Sequence, residues 1–340
     1  MSELPLVSVN LITYNRQEFI HAAIDSVLKQ SYQQFELIII DDGSTDNTID
    51  IINSFYDSRI FVFKNSKNSG IAFSRNRAAE FSSGKYILIL DSDDEAHPEL
   101  IKRKVEFLEA NSDYILVSSL MNYVNEKKEV INKSVGMLVP DNEICSYLFF
   151  ANCLVQSSLL IRTAILKKEK YSDTVSSEDL DLWNRIKYLG GSHIMEDVLI
   201  DYAMHKSNVT KFSKHNPENA FFESAEKNLK DLGLKTTDEI IGVHVKFLDY
   251  SKSFSVNDLK LLLKHCNHII TANNKEKKYN KENFDAFIFK NLIRRIDMTL
   301  RRVELPGIAT WLIFTNADID YKLQLLRILN RRLFKKFRSK

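Results

Sequence analysis

Nine residues, Tyr86-Ile87-Leu88-Ile89-Leu90-Asp91-Ser92-Asp93-Asp94, constrain this chain more than any other stretch. An uncharged aromatic and branched run leads straight into three carboxylates. A run this apolar, preceded by Ser83-Gly84, reads as a strand buried on both faces. Asp91 and Asp93 lie two residues apart, so an extended backbone points them to the same side. In an open α/β sheet, ligands bind beyond the carboxyl ends of the strands. Two neighbouring carboxylates repel each other, and a site that keeps both usually holds a cation.

The residues upstream alternate strand and helix. Val7 to Ile12 reads as a strand, and Phe19, Ile20, Ala23, Ile24, Val27 and Leu28 follow at helical spacing. Phe35 to Ile40 is a second buried strand, running into Asp41-Asp42-Gly43-Ser44-Thr45-Asp46. Gly43 suits the turn there, and Ser44 or Thr45 can cap the next helix. Ile60 to Lys64 is a third strand. Asn68-Ser69-Gly70 then opens a helix carrying Ser74, Arg75, Asn76 and Arg77, which Gly84 is expected to close. Such alternation predicts an α/β fold with a doubly wound, mostly parallel sheet. Right-handed crossovers would gather Tyr14, Asp41, Asp42, Asp91 and Asp93 at one edge. Neither GxGxxG nor GxxxxGK[ST] occurs, which disfavours the two common glycine cradles for phosphates.

Five ordered motifs carry a resemblance: Thr13-Tyr14-Asn15-Arg16, Ser26 to Tyr32, Asp41 to Asp46, Asn68-Ser69-Gly70 with Ser74-Arg75-Asn76, and Asp91-Ser92-Asp93-Asp94. In this order they resemble the family 2 glycosyltransferases, whose fold is called GT-A. The resemblance implies inverting transfer of a sugar from a nucleotide-sugar donor. It implies nucleotide contacts from Ile12, Tyr14, Asp42, Arg75 and Asp91. Asp42 would accept the N3–H of uracil, which suits an acceptor-only carboxylate. Asp91 and Asp93 match the DxD motif, with Asp93 on Mn²⁺ or Mg²⁺, hard cations that prefer oxygen ligands. Asp94 is either a support for that pair or a helix cap before Pro98.

Further along, Pro98 opens a helix, Tyr114 to Leu120 is a strand, and residues 121–135 read as a polar hairpin. Asp141 starts a helix to Phe150, and Ser157 to Arg162 is another strand. Ser176-Ser177-Glu178-Asp179 reads as a serine capping an acidic first helical turn, with Leu182, Ile186 and Leu189 on the apolar stripe. The resemblance places the family's ED pair before Leu-Trp here. It implies Asp179 as the base for the acceptor hydroxyl, with Glu178 orienting or contacting the acceptor. Val198 to Asn208 resembles a family segment ending in Tyr-Arg-x-His-x-x-Ser. His205 is kept as a metal or diphosphate ligand, Ala203 replaces the frequent Arg, and Lys206 could stand in for it.

Composition bounds the remainder. A length of 340 residues suggests two domains. The resemblance gives a catalytic domain at 1–212, split into a nucleotide half at 1–95 and an acceptor half at 96–212. A helical C-terminal region then covers 213–340, with a Lys/Asn-rich break at 272–283. Residues 290–340 hold 13 Lys/Arg and 4 Asp/Glu, or +9, which leaves −7 for the rest of a chain whose net charge is +2. A last helix at about 321–338 sets leucines on one face and basic residues around it, a pattern suited to an anionic membrane surface. Three cysteines without CxxC or metal spacing fit a reducing compartment, and no leader or apolar span of about 20 residues is apparent. The expectation is a cytoplasmic enzyme, peripheral on the inner face of a bacterial membrane. It would move a hexose or N-acetylhexosamine from UDP to a glycan acceptor, lipid-linked or free, in cell-surface polysaccharide synthesis. The alternatives are a GDP- or dTDP-sugar donor, and a non-catalytic nucleotide-sugar-binding or scaffold subunit. A nucleic-acid partner is not expected, because aromatic platforms do not interleave the basic residues.

Overall fold

The structure, a computed structural model, describes residues 4–173, 175, 177–206 and 217–302. Those residues fall into two compact units: the described residues of 4–148 with 152–220, and those of 149–151 with 221–302. The expected last basic helix lies outside the described residues.

The first unit is a nine-stranded sheet flanked by helices. Its strands are β1 (Val7–Thr13), β2 (Phe35–Asp41), β3 (Ile60–Lys64), β4 (Tyr86–Asp91), β5 (Glu95–Ala96), β6 (Tyr114–Val124), β7 (Val130–Val135), β8 (Leu160–Arg162) and β9 (Gly191–Ala203). Its helices are α1 (Ile20–Leu28), α2 (Thr48–Asn53), α3 (Ile71–Phe81), α4 (Leu100–Ala110), α5 (Asp141–Phe150), α6 (Thr163–Glu169) and α7 (Glu178–Ile186). The spatial order is β3-β2-β1-β4-β8-β6-β9-β5, with β7 on the flank of β6. Strands β1 to β4 pair in parallel, as the βαβ alternation predicts, and β8 enters antiparallel between β4 and β6.

Apolar runs on β1, β2 and β4 follow from burial on both faces. Leu37 and Ile39 of β2 join Val9, Leu88, Ile24 and Leu100 on one side, whereas Ile38 and Ile40 pack with Ala78 of α3 on the other. Each such fully buried side chain contributes about 1.5–3 kcal/mol relative to an exposed one.

Several local expectations change. Helix α2 begins at Thr48 rather than after Ser44 or Thr45, because the Ser44 hydroxyl accepts the Asn15 N–H instead. Gly43 does make the turn, at φ +79°, and an added Cβ there would lie 2.7 Å from the Lys67 carbonyl carbon. Gly84 does not close α3, which ends at Phe81 with Ser82 extended. It is needed for close approach, since a Cβ on it would lie 2.6 Å from the Ser8 nitrogen. The stretch 157–162 is half strand only: Gln156–Ser158 is a 3-10 turn before β8. Strand β9 starts seven residues earlier than Val198, with Gly191 against the Tyr114 ring. Leu189 lies beyond α7 and is exposed, so it leaves the stripe of Leu182 and Ile186.

The second unit contains α8 (Pro217–Asp231) from Phe221 onward, α9 (Asp238–Lys246), α10 (Val256–Glu276) and α11 (Lys281–Arg302). Ser255 and Asp258 form a capping box at the start of α10. The break is shorter than 272–283, because Asn273 inside α10 bonds both the carbonyl and the N–H of Tyr279 and so folds the turn tightly. Phe149 and Phe150 pack with His244, Tyr279, Phe284 and Phe287. The three cysteines are unpaired. Among the described residues, no helix is long and apolar enough to cross a membrane.

Candidate active site

The parallel register brings three strand ends together: Thr13 lies opposite Asp41, and Ile12 opposite Asp91. Beyond β1, Asn15 adopts a left-handed turn (φ +52°) and clamps the neighbouring loop, its side chain accepting the Thr45 N–H. Tyr14 sits at this edge with 39% of its surface exposed.

Asp42 is buried, and both its oxygens are engaged. Oδ1 accepts from Asn65 Nδ2 at 2.6 Å and Ser69 N at 2.9 Å, while Oδ2 accepts from Gly70 N at 3.0 Å. The acid therefore supports the loop that opens α3, where the helix dipole favours a negative charge. An accepting lone pair on Oδ2 remains for a donor.

Arg75 links two motifs far apart in the chain. It projects from α3, is 7% exposed, and donates through Nη2 to Asp91 Oδ1 at 3.0 Å and through Nη1 to Glu178 Oε1. Its guanidinium carbon also lies 5.5 Å from the Tyr171 ring centre. Burial alone would lower its pKa, but the carboxylates of Glu178 and Asp91 overcome that and hold it above the ordinary arginine value. Arg75 is thus a buried, paired cation. Burial raises the Asp91 carboxyl above the usual range, with Arg75 opposing and Asp93 reinforcing. Nε of Arg75 has no hydrogen-bond partner among the described residues.

Asp93 forms a second cluster. Its Oδ2 lies 3.1 Å from His205 Nε2 and 3.5 Å from Arg16 Nε. His205 is no surface histidine: it is 5% exposed, with its ring stacked 4.3 Å from Phe19. Asp94 caps no helix. It is fully buried, and its Oδ1 accepts the Ala203 N–H at 3.0 Å. Burial raises its carboxyl well above the usual range, and Asp93 and Asp91 add to that.

Ser177 occupies the N-cap of α7 but does not cap it through its side chain. Its hydroxyl donates to Asp179 Oδ1 at 2.6 Å, and Leu180 N donates to the same oxygen at 2.7 Å. These bonds fix the orientation of Asp179. Trp183 and Leu182 anchor α7 in the core with no exposed surface.

Residues 8–158 match the family model described as glycosyl transferase family 2. An Escherichia coli protein named UDP-Glc:alpha-D-GlcNAc-diphosphoundecaprenol beta-1,3-glucosyltransferase WfaP is 32% identical over 267 residues, which are 77% of this chain and 96% of that protein. The chain belongs to glycosyl transferase family 2. It is a glycosyltransferase. An uncharacterized glycosyltransferase of Methanocaldococcus jannaschii is 32% identical over 58% of this chain and 70% of its own length. The fold is shared with Staphylococcus aureus TarS in complex with UDP-GlcNAc, at TM-score 0.54 and 18% identity, covering 87% of this chain and 91% of that one. It is also shared with the mannosyltransferase PcManGT of Pyrobaculum calidifontis in complex with GDP-Man and Mn²⁺, at TM-score 0.50 and 14% identity, covering 99% and 83%.

In this family 2 chain, every sequence-assigned site residue lies in the first unit. Arg75 joins Asp91 to Glu178, and Asp93 meets His205. Among the described residues, the hydrogen bonds of Asp42 go to Asn65, Ser69 and Gly70 and to neither cluster. Three participants carried no assigned role in the sequence reading. Arg16 stood inside a quoted motif without one. Tyr171 gave no signal at all, and is held by paired bonds between its backbone and the Asn76 amide. Ser157, whose hydroxyl accepts the Asp91 N–H at 3.1 Å, was read only as part of a strand.

Proposed function

We propose that this family 2 enzyme transfers a hexose or N-acetylhexosamine from a UDP-sugar, with inversion, to a hydroxyl of a glycan acceptor. One observation carries the reading: a single buried guanidinium bonds both Asp91 and Glu178, which brings the DxD carboxylates and the 178–179 pair into one site. The WfaP name, with its UDP-Glc donor and its acceptor on diphosphoundecaprenol, supports a UDP-sugar and a lipid-linked acceptor.

In the mechanism, Asp179 accepts the proton of the acceptor hydroxyl. The oxygen attacks the anomeric carbon from the face opposite UDP, a new C–O bond forms, and the bond to the diphosphate oxygen breaks. Ser177 and Leu180 aim the base, and Arg75 holds Glu178 beside it. Ile12, Tyr14 and Asp42 are assigned to the nucleotide, with Asp91.

A divalent metal fits the Asp93 cluster. A carboxylate oxygen and an imidazole nitrogen lie 3.1 Å apart, a donor set suited to Mn²⁺ or Mg²⁺. Among the described residues, no group of three or more His, Cys, Asp or Glu could hold a metal, so substrate oxygens would complete the shell. When bound there, the ion neutralises charge on the leaving diphosphate.

The test offers UDP-, GDP- and dTDP-sugars to the full chain with Mn²⁺ and then with EDTA. UDP-sugar turnover that EDTA removes is expected. A donor preference for GDP or dTDP would replace the UDP reading, and no turnover with no metal-dependent nucleotide binding would overturn the mechanism. The basic C-terminal stretch is proposed to hold the enzyme on anionic lipid, each Lys or Arg near the surface contributing about 1 kcal/mol. Removing residues after about 318 should release the chain from anionic liposomes; unchanged binding refutes that role.

A further inference from the structure

Asp94 is the one acid of the Asp91-Ser92-Asp93-Asp94 motif without a part in the mechanism above, yet it is the most deeply buried of the three, with none of its surface exposed. Strand β5 pairs with the end of β9 through only two positions, Glu95 with Asp201 and Ala96 with Ile200. The ladder stops there, and the Asp94 side chain takes over, with Oδ1 on the Ala203 N–H at 3.0 Å. On its other flank the same strand end is held by β6, through the Met204 N–H on the Val124 carbonyl. Two residues past Ala203 comes His205, whose Nε2 lies 3.1 Å from Asp93 Oδ2.

These bonds close a ring: Asp93 touches the His205 ring, Asp94 holds the backbone two residues before it, and the two acids are consecutive. Two residues of extended chain span about 7 Å at most, so little slack separates the bond at Ala203 from the meeting of His205 with Asp93. Phe19 limits the imidazole from its face, with ring centres 4.3 Å apart.

We propose that Asp94 is a positioning residue for the metal site: by accepting the Ala203 N–H, it sets where β9 ends and thereby where His205 meets Asp93. The inference rests on the metal-assisted reading above. It specifies which atom matters. The Ser157 hydroxyl also interacts with the Asp94 carboxyl, but the bond to β9 runs through Oδ1, so the accepting Oδ1 carries the role and an amide oxygen can replace it. Partners behind a metal ligand commonly change metal affinity by about 10–100-fold when removed.

The test measures UDP affinity of the full chain by calorimetry, with Mn²⁺ and with EDTA. The ratio of the two affinities is the readout, and it needs no turnover. Asp94→Ala should lose about 10-fold or more of that ratio, with the EDTA affinity unchanged. Asp94→Asn should keep the ratio within about 3-fold of wild type, because it retains the acceptor. His205→Ala should match Asp94→Ala, and the double variant should lose no more than either alone, as expected of residues acting through one another. Unchanged Mn²⁺ dependence in Asp94→Ala overturns the proposal, and so does full additivity with His205→Ala. Loss of the ratio in a folded Asp94→Asn overturns it as well. An Asp94→Ala chain that does not fold also counts against it, since the bond would then serve the sheet and not the site. A wild-type chain with no Mn²⁺ dependence sinks the metal-assisted reading itself, a result distinct from all of these.

Discussion

Two buried arginines, one in each unit, solve the same problem in opposite ways. Taking a guanidinium out of water costs several kcal/mol unless its donors are satisfied. Arg295 of α11 is 1% exposed and gives Nε to Phe247 O, Nη1 to Lys252 O, and Nη2 to both Lys246 O and Phe247 O. Two of those carbonyls end α9, where the helix dipole favours a cation. Tyr250 and Phe254 cover its faces at 4.6 Å. Arg75 is nearly as buried but meets two carboxylates, with Nε left over. Neutral acceptors that engage every guanidinium nitrogen make a structural cation. Charged acceptors at the ends of two separate motifs, with one nitrogen unpartnered, suit a cation that a ligand completes.

The largest expected effect lies where the Arg75 network ends. Asp179→Asn should slow transfer by about 10²–10⁴-fold, the usual worth of a positioned base, while donor affinity stays near wild type. Loss of donor binding instead would put the base elsewhere. At the structural pole, Arg295→Ala strands three carbonyls and should cost about 3–5 kcal/mol of unfolding free energy. Turnover per folded molecule should not change at a permissive temperature. Arg75→Lys, which keeps the charge but loses the fork, should slow transfer by about 10²-fold through misplaced acids, with a melting midpoint close to wild type. If either arginine moves both readouts alike, the contrast between them fails.

The smallest effect concerns acid. Burial, with His244 and His268 adding to it, brings the His265 pKa down to about 3. An unfolded histidine titrates near 6.5, so below that pH the unfolded chain binds the extra proton. The stabilisation is complete above about 6.5 and is lost as pH falls toward about 3, at about 1.4 kcal/mol per unit. Unfolding free energies of wild type and His265→Gln, measured from pH 7 to 4, should diverge with the wild type steeper. Parallel slopes would show that the buried pair of His244 and His265, 3.1 Å apart, does not behave as a neutral structural contact.

Much of this site was legible before the fold. The strands at 35–40 and 86–90 were announced by the unbroken apolar runs 37–40 and 86–90, because double-sided burial leaves no polar positions there to confuse the period. Their C-terminal acids then had to share an edge. Misreadings and gaps occurred where a residue's partner is remote. Gly84 looked like a helix stop but is small because Ser8 of β1 passes against it. Arg75 was assigned to the nucleotide by resemblance, but its bond to Glu178, 103 positions later, had no signal in the sequence. For Asp94 a support role and a helix cap before Pro98 both stayed open, and the structure shows it holding the backbone of β9.

The sequence by itself determined which groups exist and which strand ends carry them, because hydrophobic period and turn chemistry are local properties. It also determined the family, through motifs whose order survives in one dimension. Only the tertiary structure decided the pairing: Asp91 with Arg75 and Glu178, Asp93 with His205 and Arg16, Asp94 with Ala203. Three carboxylates within four residues are chemically alike in the chain. They acquire different environments because β4 ends between α3 on one side and the returning β9 on the other, and each carboxylate meets a different neighbour there.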